Sequence, residues 1–239
     1  MPLVAAYHRP RNLEDALSLL AEPDHVVLAG GTSINADRDA SDIEVVDLQA
    51  LGLDAIVADG NRVRLGAMAT LGSVAESGLI PEWLQTISRA ESPSTLRNLA
   101  TVGGSVATRS GESLFLAALL VSDAHVEMAG ADSQSLAALV EHGVPDGAII
   151  TAVSIDASGT GGEAITGRTP ADVPIVAAVA RTADGRTTLA LTGVAATPVL
   201  ADPNNPTAGL RPPADFRGTA EYRLMLAQTL SERAVEAAR

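Results

Sequence analysis

The chain has 239 residues, enough for one large domain or for two or three lobes sharing buried surface. Apolar residues make up 46% but aromatics only 2%, so the core has to be built from Ala, Val, Leu and Ile. A net charge of −13 argues against a nucleic-acid partner, and zero cysteines exclude disulfides, thiolate nucleophiles and iron–sulfur clusters ligated by cysteines of this chain.

Read from the N-terminus, Met1-Pro2-Leu3-Val4 lacks the basic and apolar runs of a signal peptide. The longest apolar run, residues 114–121, is far short of the roughly 20 residues of a membrane span, so a soluble cytoplasmic protein is expected. Asn12 is placed to cap a helix over residues 13–20, with Leu13, Ala16, Leu17 and Leu20 on one face. Residues 25–29 form a β-prone run that leads into Gly30-Gly31, and residues 43–48 a second one. Residues 54–58 and 62–65 flank Asp59-Gly60-Asn61, a hairpin signal. Helices are predicted over 70–76, capped by Thr70, and over 81–89, opened by Pro81. Trp83, the lone tryptophan, falls in the second of these and is read as packing.

Further on, residues 112–121 read as a buried helix, 124–128 as a strand, 136–142 as a short helix and 148–155 as a strand. Residues 156–167, rich in Gly, Ser and Thr, are the candidate linker. A hairpin over 173–180 and 187–194 follows, then a Pro-rich connection over 198–213 and a terminal helix capped by Thr219. The hairpins exclude a simple all-parallel doubly wound sheet. The four histidines, His8, His25, His125 and His142, are scattered without metal-ligand spacing, so no metal site is expected.

Two glycine segments stand out, Ala29-Gly30-Gly31-Thr32-Ser33 and Thr101-Val102-Gly103-Gly104-Ser105. A glycine pair opens backbone angles closed to other residues, and successive N–H groups can then converge on a phosphate, with Thr and Ser adding hydroxyls. Neither segment is the G-x-G-x-x-G fingerprint or a P-loop. Each alone reads first as a tight strand-to-loop bend; two of them shift the balance towards phosphate but leave the identity of the ligand open.

At these residues the sequence resembles the flavoprotein (medium) subunit of the xanthine dehydrogenase and carbon monoxide dehydrogenase family of molybdenum hydroxylases. Those subunits carry an A-G-G-T/H-S/D turn and, about seventy residues later, a T-[IV]-G-G-N turn. Tyr7-His8-Arg9-Pro10, the stretch over residues 62–70 ending in Gly66-Ala67-Met68-Ala69-Thr70, Gly193-Val194-Ala195-Ala196-Thr197-Pro198 and Gly218-Thr219-Ala220-Glu221-Tyr222-Arg223 are similar to further family segments in the same order.

The resemblance implies an α+β fold: a two-lobed FAD-binding domain over residues 1–155, with lobes of roughly 1–50 and 51–155, then a short α+β C-terminal flavoprotein domain over 156–239. It implies FAD held by Ala29, Gly30, Gly31, Thr32, Ser33, Thr101, Val102, Gly103, Gly104 and Ser105. It also implies an electron-transferring oxidoreductase subunit with no acid/base or nucleophilic residue of its own. Electrons would come from [2Fe–2S] clusters on a small partner subunit, fed by molybdopterin on a large one, in a dimer of heterotrimers. A non-catalytic assembly subunit that kept the fold is the alternative.

Three positions depart from the family pattern. Ser105 replaces the usual Asn, Leu114 stands where an Asp commonly helps hold the cofactor, with Glu112 nearby, and Gly161-Gly162-Glu163-Ala164 replaces an aromatic-x-Lys segment. Arg168 is then the only basic residue left to serve the flavin, and its plainer reading is a surface arginine.

Overall fold

A computed structural model describes residues 3–36, 42–167 and 172–239. Arg168 therefore lies outside the described residues. The chain opens with β1 (Leu3–His8), α1 (Leu13–Leu20), β2 (His25–Leu28), α2 (Thr32–Ala36) and β3 (Asp42–Asp47). The three strands form a parallel sheet in the order β1-β3-β2. β1 is absent from the sequence reading because Leu3, Val4 and Tyr7 stay exposed and give no inward-facing alternation. As expected, the Asn12 side chain accepts from Asp15 N–H to start α1. Ala16 of that helix packs with Val46, Leu48 and Ile149 in a small core.

The second lobe runs through β4 (Ile56–Asp59), β5 (Arg62–Gly66), α3 (Leu71–Glu76), α4 (Glu82–Ala90), α5 (Ser94–Arg97), α6 (Val102–Thr108), α7 (Leu114–Val121), β6 (His125–Ala129), β7 (Gln134–Ser135), α8 (Leu136–His142) and β8 (Ile149–Asp156). Its strands pair antiparallel in the order β4-β5-β8-β6-β7. Thr70 and Ser73 form a reciprocal capping box at the start of α3. Every residue of α7 is buried, which fits a helix apolar on all sides and packed on all sides.

The remaining elements are β9 (Thr160–Thr166), β10 (Val176–Ala183), β11 (Arg186–Thr192), β12 (Val199–Ala201) and α9 (Ala220–Ala237). The strands make an antiparallel sheet ordered β12-β11-β10-β9. β10 is buried on both faces, so its alternation splits between two cores: Ala177 and Val179 join the α7 core, whereas Ala178 and Ala180 join Leu226, Ala227 and Leu230 of α9. The C-terminal sheet is thus wedged between α7 and α9 and shares the second lobe's core.

The expected linker over 156–167 is corrected by this sheet, because most of it is strand β9. Its glycines are there for close packing rather than slack. A Cβ on Gly161 would stand 2.2 Å from the Trp83 ring, and one on Gly162 would stand 2.5 Å from Ala237 Cβ.

Candidate functional site

Between the first and second lobes lies a cleft of about 800 Å³, within the range of small-molecule and cofactor sites. One wall is the first glycine segment. Strand β2 ends at Leu28, and Gly30 then passes so close to the second lobe that a Cβ would stand 1.7 Å from Leu99 O. Gly31 takes φ 72°, the left-handed region that a side chain disfavours. The chain enters α2 from this bend, with Thr32 and Ser33 lining the cleft. Gly31, Thr32 and Ser33 precede the helical hydrogen-bond ladder, so their N–H groups have no intrahelical acceptor.

The opposite wall differs from the sequence reading. Residues 102–108 form helix α6 instead of a second glycine bend, with Thr101 as its N-cap. The cause is local: Thr101 Oγ1 accepts from Gly104 N–H at 3.1 Å, the usual reach of a capping hydroxyl to the third helical residue. The other N–H groups are also engaged: Val102 donates to Ala69 O, Gly103 to Ala67 O and Ser105 to Thr101 O. This segment is therefore not a phosphate nest.

All the expected site residues line the cleft except Val102. Val102 is fully buried and belongs to the core. Its side chain packs in the second-lobe core with Val106 and does not line the cleft. The two walls meet where Ser33 Oγ of the first segment and Thr108 Oγ1, near the end of α6, stand 3.0 Å apart.

Sequence reasoning missed Glu91, Ser92 and Arg109, which also line the cleft. Glu91 accepts from the Ser113 hydroxyl at 2.6 Å and from Phe115 N–H at 2.8 Å, securing the start of α7. Burial pushes its carboxyl above the usual glutamate range, against the pull of those two donors. Ser92 Oγ is buried with no hydrogen-bond partner among the described residues. Arg109 ends α6 in the left-handed region and donates from Nη1 to Val140 O. These three come from loops between helices, so no periodicity marks them.

Glu112 is outside the cleft lining and pairs with Arg217 of the C-terminal unit, while Leu114 is buried. The carboxylate that reaches the cleft is Glu91, from a different segment. The structure also gathers two of the four histidines: His8 and His25 both reach Glu44, away from the cleft lining.

This architecture defines a two-lobed α+β cleft protein with an appended sheet-and-helix unit. Residues 3–155 match the family described as the FAD binding domain in molybdopterin dehydrogenase, and the chain belongs to that family. An uncharacterized Escherichia coli K12 protein, YgfM, is 31% identical over 137 residues, 56% of this chain and 53% of that one. The chain thus matches about half the length of the first curated relatives. The carbon monoxide dehydrogenase medium chain of Afipia carboxidovorans is 28% identical across 98% of this chain and 96% of its own. Among solved structures, carbon monoxide dehydrogenase from Hydrogenophaga pseudoflava superposes with a TM-score of 0.90 at 22% identity, covering 100% and 98% of the two chains, which shows the fold. Reconstituted CO dehydrogenase from Oligotropha carboxidovorans superposes at 0.89 with 26% identity over the same shares. Among the described residues, no helix is long and apolar enough to cross a membrane.

Proposed function

We propose that this chain is the FAD-binding, electron-transferring subunit of a molybdenum-containing hydroxylase or dehydrogenase complex. Residues 1–155 hold the cofactor and residues 156–239 form the C-terminal flavoprotein domain. The observation that carries the reading is the interlobe cleft, lined on both walls by the family's glycine segments.

The cleft fits FAD on its own features. Gly31–Ser33 offer backbone N–H groups, and Thr32 and Ser105 offer hydroxyls, a donor set suited to a pyrophosphate. Arg109, tethered through Nη1, places a cation on the same surface. Burial favours the protonated form of Glu91, which lessens its repulsion of phosphate. Ser92 Oγ, lacking a protein partner, is a further donor that a bound ligand would satisfy. Leu71, Ile149 and Ile150 supply apolar wall. FAD held there would supply the electron-transfer chemistry, with this chain's residues setting its position.

With no cysteine in this sequence, any [2Fe–2S] cluster would be ligated by another chain; we assign the clusters to a small partner and the molybdopterin to a large one, in a dimer of heterotrimers. The naming of a similar protein as a medium chain supports a multi-subunit complex. The test is reconstitution of the purified chain with FAD. A yellow protein holding one flavin per chain is expected, with Ser92→Ala binding more weakly. A folded, colourless chain that gains no flavin on adding FAD overturns the reading in favour of an assembly subunit that kept only the fold.

A further inference from the structure

The sheet of the first lobe brings together three side chains that the flavin reading does not use. Glu44 on the central strand β3 is in register with His25 on β2 and with Ala6 on β1, so His8, two residues beyond Ala6, shares its face. His8 Nε2 lies 2.7 Å and His25 Nε2 3.1 Å from the same oxygen, Glu44 Oε2. The two rings stack with centroids 5.1 Å apart, and all three ligand atoms lie within 4.8 Å of one another.

The orientation of His25 adds a second, independent observation. Its Nδ1 is 3.0 Å from Pro23 O. A carbonyl only accepts, so Nδ1 carries the proton, and in the neutral ring Nε2 is a bare lone pair. The ring thus presents Nε2 to Glu44, as a donor when it is protonated and as a free ligand atom when it is neutral. A histidine whose second nitrogen is fixed by a backbone carbonyl is the usual outer-shell support of a metal ligand.

We infer that His8, His25 and Glu44 form a divalent-metal site of the zinc class, with a fourth position open to solvent. Two imidazoles and one carboxylate suit a borderline cation and disfavour magnesium or calcium, which prefer all-oxygen shells. Ligands about 2.0 to 2.1 Å from a tetrahedral zinc stand roughly 3.3 Å apart, so insertion asks the two observed contacts, 2.7 and 3.1 Å, to open by about 0.6 and about 0.2 Å. The metal joins all three strands of the first lobe. His25 opens β2, and the far end of that strand leads into Gly30-Gly31, so the site steadies one wall of the cleft without touching it.

The experiment is titration of the full-length, FAD-treated chain with Zn²⁺ by calorimetry and with Co²⁺ by visible spectroscopy. One Zn²⁺ per chain is expected, together with four-coordinate cobalt bands that Zn²⁺ abolishes. Glu44→Gln, which keeps the side-chain shape, weakens binding at least about tenfold. The double substitution His8→Ala/His25→Ala eliminates binding with the circular dichroism and flavin spectra unchanged. A folded wild-type chain that takes up neither ion overturns the site and leaves an ion-paired cluster. Uptake that survives the double substitution overturns it equally. Neither readout depends on flavin, so failure here is distinct from failure of FAD binding.

Discussion

Ser33 donates its hydroxyl hydrogen to Thr108 across the cleft. Their oxygens are 3.0 Å apart, and Thr108 Oγ1 has already given its own hydrogen to Gly104 O at 2.8 Å, so only Ser33 is left as donor. One bond thus ties the first glycine segment to α6, and Thr108 sets the spacing of the two walls. Thr108→Val removes the acceptor while keeping the shape. It is expected to cost about 1 kcal/mol of FAD binding, roughly fivefold in Kd, whereas Thr108→Ser retains affinity. Flavin-fluorescence titration of the two variants checks this, and equal Kd values would show that the bond does not hold the walls.

The glycines of the two walls fail in different ways. A Cβ on Gly30 meets the rigid carbonyl of Leu99 at 1.7 Å, so Gly30→Ala forces the first segment away from the second lobe. A Cβ on Gly104 meets only Thr101 Oγ1, at 2.9 Å. Gly104→Val is therefore expected to disturb the Thr101 cap, at about 1 kcal/mol, while blocking the ligand. Urea unfolding and FAD titration together separate the two outcomes. Gly30→Ala should lower stability by clearly more than Gly104→Val, and Gly104→Val should lose FAD with the fold intact.

Much of this was legible in the sequence, because helix caps and β-turn chemistry are local. Asn12, Thr70 and Thr219 cap helices where expected, and the hairpin around Asp59-Gly60 forms. The glycine segments were legible as a pair facing one cleft, but their conformations were not. Whether Gly103 and Gly104 bend or continue a helix depends on the Thr101 cap and on Ala67, whose Cβ would lie 2.8 Å from a Cβ on Gly103. Glu91, Ser92 and Arg109 reach the cleft only through tertiary packing, and it is likewise packing that brings His8 and His25, separated by a helix in sequence, together at Glu44 away from the cleft.

The C-terminal unit is anchored by Arg223, which is almost completely buried. Its Nη1 donates to Ile175 O at 2.8 Å and to Gly193 O at 2.7 Å, and its Nη2 to both oxygens of Asp215. Two of the sequence segments noted at the start thus meet at one guanidinium. The Arg223 hydrogen bonds, followed by the Arg217 N–H, hold the Asp215 carboxyl below the usual aspartate range. A folded-state pKa depressed in this way gives stability that is present above the unfolded value, near 3.9, and is lost as pH falls through the folded value. Wild type should therefore exceed Asp215→Asn in Tm above about pH 5, with the gap closing in more acidic buffer. A gap independent of pH would assign the role of Asp215 to shape rather than charge.

The contact of Trp83 with Gly161 tests whether β9 is a strand of the core or a loose connection. Trp83 packs against the second-lobe core, and its ring occupies the space a side chain on Gly161 would need. The same glycine is paired with Arg181 of β10, so it cannot swing aside without breaking the sheet. Gly161→Ala is expected to destabilise the chain by about 1–3 kcal/mol through overpacking. Shrinking the ring with Trp83→Leu should recover part of that loss, so the double mutant would be less damaged than the two single effects added. Denaturant unfolding of the four proteins gives the coupling directly. Limited proteolysis supplies the independent check: a connecting loop rich in Gly and Thr would be cut first within 160–166, whereas a paired strand held by Trp83 on one side and Ala237 on the other should survive until the whole chain unfolds.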